Sequence, residues 1–167
     1  MVHLRINPAF VQLGYVTNDL KRACQAFKEM RAVPDFFIWN NVPVHMELYG
    51  KPATAEMNLG FAWVGDTMIE LIMPVSGSIE VYMPGIEGPD FGLKLHHIGY
   101  GVAGDQDRFD AKLKLQMELG HPLVNISRAA MGSYSLLDAR KTFGHYIEYL
   151  WNNADGLEFF AKIPRSS

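Results

Sequence analysis

The chain has 167 residues, of which 49% are apolar and 20% charged, and its formal net charge is −3. That composition excludes a disordered tail protein, no run reaches the ~20 apolar residues of a membrane helix, and the 15 basic residues, scattered among 18 acidic ones, offer no nucleic-acid face. A single cysteine, Cys24, excludes an internal disulfide framework and a multi-cysteine zinc site; with no apolar signal segment after Met1–Arg5, it points to a reducing, cytoplasmic setting.

Phe10 to Val16 reads as a strand, and Thr17, Asn18 and Asp19 offer caps for a helix. Leu20, Ala23, Cys24, Phe27 and Met30 recur at helical spacing until Pro34 ends the helix region. Phe36 to Trp39 reads as a second strand, and Asn40 to Pro43 as a turn. Residues 43–56 hold two prolines and a glycine and read as an irregular loop or ragged edge. Met57 to Val64 is a strand, Gly65-Asp66 a tight turn, and Thr67 to Met73 the return strand, stopped by Pro74.

Residues 75–95, rich in Gly and Pro, read as a linker, with Ser78 to Tyr82 as a short helical turn. The pattern then restarts. His96 to Val102 is a strand, and Asp105 and Asp107 begin a helix whose apolar stripe is Phe109, Leu113 and Met117 and whose stop is Gly120. Strands follow at Pro122 to Ile126, Tyr134 to Asp138 and His145 to Trp151. Leu157, Phe159 and Phe160 suit a short closing helix.

The order strand, helix, three strands therefore occurs twice. The string around Gln12 to Val16 aligns with that around His97 to Val102 at an offset of 85, and Ile69-Glu70-Leu71 aligns with Ile147-Glu148-Tyr149 at an offset of 78. Gln12 and His97 sit early in the first strand of each unit, and Glu70 and Glu148 in the last. Strand alternation puts Gln12 on one face with Gly14 and Val16, and His97 with Gly99 and Gly101, so small neighbours leave room there. A glutamate inside an apolar strand is costly unless paired or metal-bound, and two in equivalent places call for one explanation. A divalent ion held by Gln12, Glu70, His97 and Glu148 supplies it. One imidazole and three oxygens suit zinc, nickel, cobalt, manganese or magnesium. Four protein ligands leave two octahedral positions for water or for two neighbouring oxygens of a substrate. By the same alternation, His96 and His145 point to the opposite face, as structural or surface residues.

The order βαβββ–βαβββ resembles the vicinal-oxygen-chelate superfamily, which includes glyoxalase I, methylmalonyl-CoA epimerase, extradiol dioxygenases and bleomycin-resistance proteins. The resemblance rests on Val11–Leu20, Ile69–Pro74, Leu95–Gly99 and Gly144–Tyr149 and covers roughly residues 8–152. The set Gln12, Glu70, His97, Glu148 matches the glyoxalase I pattern. Epimerases usually have His at the place of Gln12, and no two-histidine, one-glutamate trio of the ring-cleaving dioxygenases stands here.

The resemblance implies an α+β fold in residues 1–167. Two βαβββ modules, 8–74 and 96–152, joined by the 75–95 linker and followed by a 153–167 tail, form an open, curved eight-stranded mixed sheet around a central cavity, with helices outside. It also implies a homodimer, with the two modules pairing within one chain or exchanging between two. The activity expected is a glyoxalase-like, metal-dependent lyase or isomerase. One divalent ion stabilises an enolate or enediolate, and Glu70 and Glu148 serve as catalytic carboxylates. Trp39, Tyr49, Phe61, Trp63, Arg128, Tyr134 and Tyr146 are the expected substrate pocket, which favours a small hydrophobic or aromatic molecule. The other class is a sequestration protein of the bleomycin-resistance type, which binds without chemistry; a complete metal tetrad argues against it.

Overall fold

The computed structural model describes residues 7–31 and 33–166; Met1–Arg5 lies outside them. The elements in chain order are β1 (Val11–Thr17), α1 (Leu20–Arg31), β2 (Phe37–Leu48), β3 (Lys51–Val64), β4 (Thr67–Gly77), β5 (Leu93–Gly101), α2 (Gln106–Glu118), β6 (Leu123–Ala129), β7 (Gly132–Leu137), α3 (Arg140–Phe143), β8 (Tyr146–Asn152), α4 (Ala154–Ala161) and β9 (Arg165–Ser166). The helix starts are set by local chemistry. Asp19 accepts from the Arg22 amide, Asp105 from that of Arg108, and Asn153 from that of Gly156.

The strands form one mixed sheet in the order β2-β6-β7-β8-β5-β1-β4-β3, with β9 beyond β3. Two parallel pairs, β1 with β4 and β5 with β8, flank the antiparallel pair β1–β5. The sheet is closed, not open as the sequence suggests. The reason is length: β2 and β3 run for 12 and 14 residues and pair with each other, so the β2 tip reaches β6. Glu47 and Leu48 pair there with Ile126 and Asn125, and the Tyr49 amide donates to the Val124 carbonyl at 2.7 Å. Closure removes the free edges that an open sheet leaves.

Residues 43–56 are thus strand, against the loop expected. Pro43 and Pro52 fall where a strand has one neighbour only: β6 meets β2 just at its tip, and β4 meets β3 only from Ala55 onward. Asn40 and Asn41 are a bulge in β2, with Asn41 at φ 54°, and the hairpin turn is Tyr49-Gly50, at φ 50° and 74°. Pro74 does not end β4, which pairs on to Gly77.

The segment between β4 and β5 is fastened at several points. The Ser78 amide donates to the Thr54 carbonyl, Asn18 bonds the backbone of Ile86, Asp90 and Gly92, and Val81, Tyr82 and Ile86 are buried in the core beside Met46, Leu48 and Val124. The closing helix α4 forms as expected, packing Phe160 against Phe10 and Phe61. α3 and β9 carried no sequence signal.

Candidate metal centre

The four central strands β8, β5, β1 and β4 each deliver one of the four residues. Their register is a pseudo-twofold. Gly14 stands between Glu70 on β4 and His97 on β5, and Gly99 stands between Gln12 on β1 and Glu148 on β8. The two glycines are required by close approach. A Cβ on Gly14 would overlap the His97 imidazole, and one on Gly99 would press Leu150, Glu148 and Gln12. The room over Gly14 is filled by His97 itself.

All four side chains turn inward and meet. Gln12 Nε2 lies 2.8 Å from Glu70 Oε2, 3.1 Å from Glu148 Oε2 and 3.3 Å from His97 Nε2. His97 Nε2 lies 3.3 Å from Glu70 Oε2 and 3.2 Å from Glu148 Oε2. Gln12 and His97 are each 1% exposed, and Glu70 is the most exposed of the four.

Protons and charge at this cluster are set by burial and by the carboxylates. Burial opposes an imidazolium at His97, but Glu148 and then Glu70 outweigh it and raise His97 to about 10. Burial raises the Glu148 carboxyl above its ordinary range, against the pull of His97. The buried Gln12 Oε1 has no hydrogen-bond partner at all. In the metal-free cluster Gln12 Nε2 donates to Glu70 Oε2 and Glu148 Oε2, which holds the amide this way round and leaves Oε1 bare. With the amide turned over, Oε1, the two carboxylates and the lone pair of a neutral His97 would offer four ligand atoms to a cation at the centre.

The donor set fits that cation. Ligands at about 2.1 Å on adjacent octahedral corners lie about 3.0 Å apart. Five of the six pairs among the four donors fall at 2.8–3.3 Å. The sixth, Glu70 with Glu148, lies within 4.8 Å, which admits opposite corners, about 4.2 Å apart.

These residues form part of the wall of a cavity of about 520 Å³ inside the barrel. Among the expected pocket residues, Trp39, Phe61, Arg128 and Tyr134 line it. Tyr49, Trp63 and Tyr146 do not, and the reasons are specific. Tyr49 occupies the exposed hairpin turn, Trp63 packs edge-on against Phe10 with its indole N–H on the Phe160 carbonyl, and Tyr146 lies under Arg140 and against His96. Arg128 pairs with Asp110. Val42, Val44 and His45 also line the cavity, and sequence reading missed them because two prolines disguised their strands.

His96 also departs from expectation. It is 7% exposed and bonds His97, Nδ1 to Nδ1 at 3.0 Å. The register between β1 and β5 slips between Gly14 and Tyr15, opposite His97 and Leu95, so His96 is the extra residue of a bulge. A bulge cancels alternation and turns two successive side chains inward.

No family model matches the chain, and no curated relative does. Solved structures do. A methylmalonyl-CoA epimerase from Mycobacterium tuberculosis superposes with a TM-score of 0.58 at 13% identity, over 93% of this chain and 95% of that one. The chain has the vicinal-oxygen-chelate fold. A hypothetical protein from Bacillus halodurans C-125 gives 0.58 at 17% identity, over 86% and 94%. A Streptomyces coelicolor methylmalonyl-CoA epimerase variant in complex with 2-nitronate-propionyl-CoA gives 0.56 at 16%, over 87% and 98%. The likeness reaches both halves of this chain. Among the described residues, no helix is long and apolar enough to cross a membrane.

Proposed function

We propose that this protein is a metal-dependent proton-transfer enzyme of glyoxalase or epimerase type. Its substrate is a small molecule with two neighbouring oxygens and an apolar or aromatic body. The observation that carries the reading is the inward cluster of Gln12, His97, Glu70 and Glu148 with the unpartnered Gln12 Oε1. In this reading Gln12, Glu70, His97 and Glu148 hold one divalent ion. When bound, the ion supplies Lewis-acid charge to an oxygen that gains negative charge as a neighbouring C–H loses its proton. Its identity among zinc, nickel, cobalt, manganese and magnesium is left to measurement.

The chain's own residues do the rest. Glu70 and Glu148 both face the cavity, from opposite sides of the Gln12–His97 pair. A carboxylate there takes a proton from carbon and returns it to the other face or to the next carbon, which gives epimerisation or isomerisation. Burial raises Glu148, which brings it nearer the neutral range where a base works in both directions. Trp39, Phe61, Met57, Leu59 and Tyr134 give the cavity an apolar wall, which excludes water and suits a hydrophobic substrate. We place 8–74 and 96–152 as the two halves of one catalytic unit, in a cytoplasmic homodimer. Two epimerases among the structural neighbours support the choice of reaction class.

The test is metal content by mass spectrometry of protein purified without added metal, beside His97→Ala. About one ion per chain, lost in the variant, supports the reading. Absence of metal, with no uptake of zinc, nickel, cobalt or manganese, moves the protein to ligand sequestration. Glu70→Gln and Glu148→Gln then test catalysis: unchanged turnover in both, on a verified substrate, sinks the proton-transfer role.

A further inference from the structure

Resting on the metal site just proposed, we infer that His96 is a positioning residue that fixes the tautomer of His97. A backbone carbonyl in the β4–β5 segment sets it in turn. His96 Nε2 lies 3.0 Å from the Val81 carbonyl oxygen. A carbonyl only accepts, so His96 Nε2 carries the hydrogen. In a neutral ring Nδ1 is then bare. His96 Nδ1 lies 3.0 Å from His97 Nδ1, so that hydrogen comes from His97. His97 is thereby protonated on Nδ1, and Nε2, the atom facing Glu70, Glu148 and Gln12, presents its lone pair once His97 is neutral. Metal-binding histidines are commonly held this way by a partner on the other ring nitrogen.

His96 is held rigidly enough to serve. Its ring stacks on Tyr82 at 5.0 Å, meets Tyr146 at 4.8 Å and stands edge-on to His97 at 5.3 Å. Tyr82 is tied at its hydroxyl by Asn125 Nδ2 at 3.0 Å. The bulge at His96 brings the ring to the inner side, and the segment that carries Val81 and Tyr82 closes over it. A piece of chain that composition marks as a linker is therefore the outer wall of the ligand's support.

The experiment uses zinc as the probe, on wild type and two variants. His96→Phe keeps an aromatic ring and removes both nitrogens. His96→Asn restores an oxygen acceptor near the Nδ1 position. The inference expects zinc affinity to fall about 10–100-fold in His96→Phe and to recover most of that in His96→Asn, with both variants folded by thermal melting in a chelator. Long-range nitrogen–proton NMR of zinc-loaded wild type should show His97 protonated on Nδ1 and His96 on Nε2. Zinc held equally by wild type and His96→Phe overturns this inference and leaves the metal reading standing, as does His96 protonated on Nδ1. Wild type that takes no zinc overturns both. If His96→Phe fails to fold, the wild-type tautomers decide alone.

Discussion

The two halves of the site are related by a pseudo-twofold and yet are not equivalent. On one side stand Gln12, Gly14 and Glu70; on the other, His97, Gly99 and Glu148. The first half carries an amide with no proton to exchange and a partly exposed glutamate. The second carries a titratable imidazole, a buried glutamate and a bulge that brings in His96. The repeat supplies the geometry of four converging strands, and departures from the repeat make the two sides differ in charge and burial.

The glycines break that comparison most sharply. A Cβ on Gly14 would overlap the His97 ring, whereas one on Gly99 would lie 2.9 Å from Leu150 Cδ1 and 3.0 Å from Glu148 Oε2. Gly14→Ala should cost at least about 100-fold in zinc affinity and about 1–3 kcal/mol in stability. Gly99→Ala should cost clearly less in both, because a leucine methyl and a carboxylate oxygen can move. Equal losses, by calorimetric titration and thermal melts, would show that the halves tolerate crowding alike.

The glutamates come next. On a verified substrate, losing the working base should cost on the order of 100- to 10,000-fold in turnover. In the metal-free protein the two differ in what they do to His97. Glu148 contributes most to raising it and Glu70 less. Glu148→Gln should therefore lower the His97 titration further than Glu70→Gln, followed by imidazole NMR. The reverse order would reassign the dominant charge to the first half.

The closure of the barrel sharpens the comparison at the level of strands. Only the first hairpin is long enough to cross, and it lands beside Asn125. Asn125 is fully buried, gives Nδ2 to the Tyr82 hydroxyl and accepts from the Leu136 amide at 3.0 Å. Asn125→Ala strands both partners, so we expect a loss of about 2–4 kcal/mol in denaturant unfolding. A loss below about 0.5 kcal/mol would mean water replaces the amide and the seam carries little.

Much of this was legible from residues, and the failures have physical causes. Gln12, Glu70, His97 and Glu148 could be picked out because a polar residue in an apolar strand, repeated at matching places, has few explanations. Alternation puts His96 on the outer face because it assumes an unbroken ladder, and a bulge leaves no mark in composition. Residues 43–56 read as a loop because Pro43 and Pro52 normally break ladders; nothing local says that each has one neighbour only. The pocket was half legible: Trp39 and Phe61 face the cavity, while Trp63, of the same character, serves the outer layer with Phe10.

The smallest effect, and the most direct on the asymmetry, is proton linkage. Metal-free His97 keeps its proton up to about 10, and an ion needs the bare Nε2. Proton and ion therefore compete, and affinity rises as pH rises. Between about pH 7 and 9, binding should release close to one proton and affinity should climb about tenfold per pH unit, flattening near pH 10. Zinc titrations in buffers of different ionisation heat read the released proton directly. The expected source is His97, in the second half. Glu148→Gln should move the flattening point down, because it removes the charge that does most to hold the proton on His97. A flat profile across that window would mean that His97 is already neutral there, and that the pairing with Glu148 and Glu70 does not govern the site.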